Sequence, residues 1–187
     1  IGSYALSTAD TTEESNIAIG VNAMVNVDEN GNAANQNIAI GTSALAGGQL
    51  GGSLIDNIAI GFNALDATDT NAQTGTIAIG GSALSALTTG EGNTAIGYNS
   101  GSETTAGNHN TCLGYQTMYR DNGMANIDNV FIGYRSGYGS WATAASSDNV
   151  AVGGSSMVGA MNGATYNTTV GGYGLYALTE GDGNTAI

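Results

Sequence analysis

Apolar residues in this chain fall in short alternating runs, not at helical spacing. In Asn16-Ile17-Ala18-Ile19-Gly20 a large aliphatic side chain alternates with a small one, and the run closes on glycine. The same phrase stands at Asn37 to Gly41 and Asn57 to Gly61, and variants end at Gly80, Gly97, Gly114, Gly133, Gly153 and Gly171. Alternation over so few residues predicts a short strand. Counting from Gly2, the phrase glycines are separated by 17 to 21 residues. A strand recurring at a period near 19 predicts an all-β fold: a parallel β-solenoid, or β-roll, of about ten coils. Residues 1–187 then form a single repeat array.

Coil stacking would place equivalent residues in columns at strand spacing, about 4.8 Å. The first aliphatic column runs from Ile17, Ile38, Ile58 and Ile77 to Thr94, Thr111, Val130, Val150 and Thr168. The second runs from Ile19, Ile40, Ile60 and Ile79 to Ile96, Leu113, Ile132, Val152 and Val170. Between them lies a small column, mostly Ala, that admits Cys112, Phe131 and Thr169. After the glycine a second short element pairs a small residue with a large one, as in Ala44-Leu45 and Ala64-Leu65. The Asn that opens each phrase, replaced only by Thr76, predicts an amide ladder along the axis.

Composition sharpens this picture. The chain has 31 Gly, no Pro, and 41% apolar residues that recur in register, which sets it apart from a disordered polar segment. Two Lys or Arg stand against 15 Asp or Glu, a net charge of −13, which argues against nucleic acid and anionic lipid as partners. None of the acidic residues falls in the nine positions that begin at a phrase Asn. All lie in the connections, among them Asp10, Asp28, Glu29, Asp56, Asp121 and Asp182, and they predict a solvated rim around a neutral ladder. The Gly-Gly-x-Gly-x-Asp pattern of calcium-binding rolls is absent, so no metal or cofactor is expected. Single Cys112 predicts a small packed hydrophobe, with no disulfide framework. No apolar run is long enough to span a membrane as a helix. The chain begins and stops inside the phrase, and reads as a fragment of a longer fibre.

Both faces of the phrase strand are apolar, whereas a strand with one wet face alternates apolar with polar. Self-association is the expectation, without a number of chains. The phrase Asn-x-Ala-Ile-Gly-x-x-Ala-Leu resembles the head repeats of trimeric autotransporter adhesins, the YadA-like β-rolls. The stretch from Leu87 to Gly101, LTTGEGNTAIGYNSG, resembles phage tail fibre repeats still more closely. The resemblance covers the whole chain. It implies a parallel homotrimer, a location on the virion tail fibre or on the bacterial cell surface, and attachment to a host glycan or protein receptor. Repeats longer than those of adhesin heads favour the phage reading. Two arrangements of the roll stay open: large Ile columns inside each coil, or Ala columns inside with Ile turned towards the trimer axis. The resemblance favours the second.

Candidate functional residues gather after Asn93, where eight of the nine Tyr, Trp141, Phe131, His109 and both Arg are found. Tyr98, Tyr115 and Tyr134 follow successive phrase glycines and predict an aromatic column, either a stabilising ladder or a glycan-binding strip. Trp141, in the connection from Tyr138 to Asp148, is exposed for a receptor or folded back as a plug. These four are the candidate receptor contacts. Phe131 exceeds an Ala site and comes where Ile has shrunk to Val130, which predicts exchange of packing volume. His109 has no matching ligand spacing for a metal. A depolymerase would need two converging carboxylates; Asp66 with Asp69 and Asp121 with Asp128 are the pairs at hand, all in the rim. An ice-binding plane would need regular Thr columns, and Thr occupies the first aliphatic column only at Thr94, Thr111, Thr168 and Thr185, so the plane is broken. The expectation is therefore a structural and adhesive fibre, not an enzyme.

Overall fold

The structure, a computed structural model, describes residues 1–7, 14–26, 33–47, 52–68, 72–120, 123–141 and 144–187. Among them every regular element is a strand. The phrase strands Ile17–Ile19, Ile38–Ile40, Ile58–Ile60, Ile77–Ile79, Thr94–Ile96, Thr111–Leu113, Val130–Ile132, Val150–Val152, Thr168–Val170 and Thr185–Ala186 form one parallel ten-stranded sheet in chain order. Ile17 pairs with Ile38, Ile38 with Ile58 and Cys112 with Phe131, so the columns read from the phrase are the observed register. The roll makes about eight full turns, with a partial coil at either end, where about ten coils were expected.

A second wall lies ahead of the phrase strands from Asn37 onward. It is built by Ala34–Asn35, Leu54–Ile55 and Gln73–Thr74, and then by Ala106–Asn108 with Ala125–Ile127. Its inward position is the residue three before the phrase Asn: Ala34, Leu54, Gln73, Asn126, Ser146 and Ala164 are all buried. The sequence hardly signals this wall, because its strands are two or three residues long and vary in chemistry.

The orientation of the phrase strand is resolved. Ala39, Ala59, Ala78, Ala95, Cys112, Phe131, Ala151 and Thr169 are buried inside the roll, while Ile17 is 48% and Ile96 40% exposed. The large aliphatic columns point outward. A thin roll leaves room for methyl groups between this sheet and the turn element, whose Met24, Leu45, Leu65, Met118 and Met157 fill the remaining interior.

That turn element is not a strand. Its residues alternate into the left-handed region, at φ 51° for Asn63 and 52° for Leu65, and at 53° for Gln116 and 46° for Met118. Left-handed φ is worst for β-branched side chains. That explains why Val, Ile and Thr are missing from the second and fourth positions after every phrase glycine. Hydrogen bonds still run along the axis here, as from Leu45 N to Ala64 O at 2.9 Å.

The phrase glycine is required twice over. At Gly61, φ is +137°, and a Cβ would lie 2.5 Å from the Gly80 carbonyl oxygen in the next coil. A side chain there would push the coils apart.

The Asn ladder forms inside the corner of the roll. The Asn129 Oδ1 accepts from the backbone N–H of Asn149 and from its Nδ2, both at 3.1 Å, and the Asn129 Nδ2 donates to the Ser146 carbonyl at 2.8 Å. Each amide therefore ties its own coil to its neighbours. The ladder runs from Asn16 through Asn37 to Asn57, and resumes from Asn93 to Asn184. At Thr76 it breaks: the Thr76 N–H donates to Asn57 Oδ1 at 3.0 Å, but its buried hydroxyl has no partner.

Candidate receptor-contact surface

The residue after each phrase glycine leaves the roll at the bend and points outward. In this column Phe62 is exposed, Gly81 interrupts, and then Tyr98, Tyr115 and Tyr134 follow. The three rings stack, with centroids 5.7 and 5.5 Å apart and interplanar angles of 19° and 8°. Tyr98 leans over Gly81, where a Cβ would come within 3.3 Å of the ring. Each of the three stays exposed, Tyr115 at 42% and the outer two at 54%. The predicted aromatic column is thus a ladder and also a surface.

Further residues join it. Tyr119 and Tyr138, five positions after their phrase glycines, stack at 5.5 Å and 12°. The Arg135 guanidinium lies 5.2 Å from the Tyr134 centroid and 4.7 Å from that of Tyr138, bridging the two stacks. Its Nε donates to Gln116 Oε1 at 3.0 Å. Arg120 lies 5.5 Å from the Tyr138 ring. Among the described residues the one close approach of a basic to an acidic side chain is His109 Nδ1 to Asp128 Oδ1 at 3.3 Å, so neither arginine has a carboxylate within 4.0 Å there. The sequence carried a signal for these residues: the chain has two Lys or Arg in all, both within six positions of a phrase glycine in the Tyr-bearing coils.

Trp141 corrects the expected set of contacts. It is 0% exposed and meets Phe131 edge-on, with centroids 5.3 Å apart. It is a plug, with no surface for a receptor. Phe131 does reflect exchanged volume, but the partner is not Val130, which sits on the outward column. The partner is Gly137, in the position that holds Leu65 or Met118 in other coils; a Cβ at Gly137 would lie 2.7 Å from the Phe131 ring. Cys112 packs in the Ala column with its thiol 3.6 Å from the Met118 sulfur.

The rim is where the sequence put it, as far as it is described. Asp56 and Asp182 are exposed, while Asp10, Asp28, Glu29, Asp69 and Asp121 lie outside the described residues. Each carboxylate pair considered for a depolymerase therefore has one member outside them. Burial raises the Asp66 carboxyl above its ordinary value, partly offset by a backbone hydrogen bond that lowers it. Among the described residues no group of three or more His, Cys, Asp or Glu is placed to hold a metal ion. Among the described residues there is no helix long and apolar enough to cross a membrane.

Comparison with protein-family models, with curated proteins and with solved structures finds no match to this chain.

Proposed function

We propose that this chain is a structural and adhesive segment of a phage tail fibre, assembled as a parallel homotrimer and involved in attachment to the host cell surface. The observation that carries the reading is the outward aliphatic face. Two outward columns, one of Ile, Leu and Val and one of Ile and Val with Thr at four of its ten positions, run along the ten-stranded sheet, part-exposed to exposed among the described residues. Nine steps of about 4.8 Å make this face roughly 43 Å long. Contiguous apolar surface on that scale marks an interaction site. The columns repeat along the axis, so identical chains in the same direction match one another step for step, and every coil adds the same contact.

The rest of the coil suits an external fibre. Backbone and Asn hydrogen bonds along the axis give stiffness, and the acidic connections keep a long assembly soluble. The exposed Tyr ladder gives it a distinctive surface for a glycan or protein receptor, outside the cell on the virion. The second reading, the head of a bacterial surface adhesin, is favoured by the same outward Ile face and rests on the phrase itself. The coding sequence to the 3′ side separates them. A chaperone-type domain after the repeats is expected for the phage fibre; a stalk of heptads ending in a membrane anchor would contradict it. Attachment is tested by incubating labelled, assembled protein with a panel of intact bacteria. Binding restricted to some strains is expected, and binding to none would contradict an adhesive role.

A further inference from the structure

We propose that the Tyr–Arg patch is a binding site for a carboxylated saccharide, a uronate- or sialate-bearing glycan; this rests on the reading of the chain as an attachment fibre. The inference begins with charge. In a chain of net charge −13, both Lys or Arg residues sit against the same group of tyrosines. Chance solubility does not need them there, and no described carboxylate lies within 4.0 Å to neutralise them.

The geometry then limits how a ligand is held. Tyr115 has a ring stacked on each side, so its exposed part is its edge and hydroxyl, not a face. The middle of the ladder therefore recognises by hydrogen bonding and not by stacking. The three stacked rings, with centroids 5.7 and 5.5 Å apart, bring their phenol hydroxyls into a row of donors and acceptors. At one end of that row the Arg135 guanidinium lies 5.2 Å from the Tyr134 centroid and 4.7 Å from that of Tyr138, with its Nε committed to Gln116. Its terminal N–H groups remain for a carboxylate, which a planar guanidinium takes in a forked pair. Arg120 adds a second cation beside Tyr138. A row of hydroxyls ending at oriented guanidinium groups suits an extended polyol that carries acid groups.

The test titrates the full chain with oligogalacturonate and with sialyllactose, against maltohexaose and lactose as neutral probes and a polyglutamate peptide as an acidic non-saccharide. At least one acidic saccharide is expected to bind tenfold or more tightly than the neutral probes and the peptide, and more weakly as salt rises. Arg135→Gln is expected to erase that preference. Tyr115→Phe, which keeps the ring and the stack, is expected to weaken binding severalfold through loss of one hydroxyl, with Glu180→Gln unchanged. Equal binding of acidic and neutral sugars, equal binding of polyglutamate, no binding at all, or a Tyr115→Phe variant indistinguishable from the parent would each overturn the site. Molar mass is read on the same samples. Trimers that bind no saccharide overturn the site and leave the fibre; monomers that bind it overturn the fibre and leave the site.

Discussion

The coils before Asn93 and those after it share one backbone and differ in what fills it. In the first group the interior is methyl against Leu or Met: Ala39, Ala59 and Ala78 face Leu45, Leu65 and Leu84. In the second, Ser100, Thr117, Ser136 and Ser156 replace Ala23, Ala44, Ala64 and Ala83 in the turn column. Their hydroxyls pair along the axis at 2.7 Å for Ser100 with Thr117 and 2.9 Å for Ser136 with Ser156. A buried hydroxyl without a partner costs about 1–3 kcal/mol; these are tolerated because each meets a hydroxyl in a neighbouring coil and a backbone carbonyl, as Ser100 Oγ meets the Cys112 carbonyl at 2.8 Å and Ser136 Oγ that of Ala151 at 3.1 Å. Column chemistry, not coil chemistry, is the unit that this architecture keeps consistent. The same rule builds the outer Tyr stack, and Gly81 and Gly154 bound it on either side.

The comparison can be broken most sharply at Phe131. Phe131→Ala should cost about 3–5 kcal/mol, read as a fall in the denaturant midpoint. Adding Gly137→Met should recover a large part of that loss, because the pair then copies the Ala-plus-Met interior of other coils, and Met118 and Met157 already adopt left-handed φ at that position. Gly137→Met with Phe131 retained should be strongly destabilising. Additive effects in that cycle would contradict the volume exchange.

Next in size is the ladder. Asn129→Ala strands the Asn149 N–H and the Ser146 carbonyl, while the Asn149 Nδ2 keeps the Ser147 and Ala164 carbonyls, and should cost about 3 kcal/mol at roughly 1–3 kcal/mol per buried group left unpaired. Asn57→Ala should cost less, because Thr76 supplies no side-chain donor to it. A smaller gain is expected from Thr76→Asn, which joins the two runs of the ladder and removes an unpartnered hydroxyl; a rise of about 1 kcal/mol is the scale of one added hydrogen bond. A loss of stability in that variant would show that the break is a packing requirement.

The smallest effect concerns Asp66, which occupies in the first group the column that carries Tyr119 and Tyr138 in the second. Its carboxyl is raised by burial, so the charged form is disfavoured on folding above the folded-state value. That cost is relieved as pH falls through the raised value. Asp66→Asn should therefore be slightly more stable than the parent at neutral pH, with the difference fading as pH drops through that range. A difference that grows in acid would contradict the assignment.

Much of this was legible because the phrase carries period and facing at once. Ile17, Ala18 and Ile19 gave strand, register and the small column, and the Asn positions gave the ladder. Two apolar faces left the inward side open in the sequence; the structure settles it through the space that Leu45 and Leu65 take from the other side. The second wall escaped, since Ala34, Leu54, Gln73 and Ser146 share no chemistry and are chosen coil by coil for volume and hydrogen bonding. Of the four expected contacts, the three Tyr were placed by their step from the glycine. Trp141 had no repeat position to fix it, and its burial depends on the gap beside Phe131.

The central claim is that the outward Ile face is covered by further copies of this chain. Sedimentation equilibrium on the purified protein tests it directly. The expected mass is three times 18.5 kDa, falling to one copy when Ile40 and Ile60 are both replaced by Asp while the β-roll spectrum persists. A stable, folded species of 18.5 kDa from the unaltered chain would contradict the account.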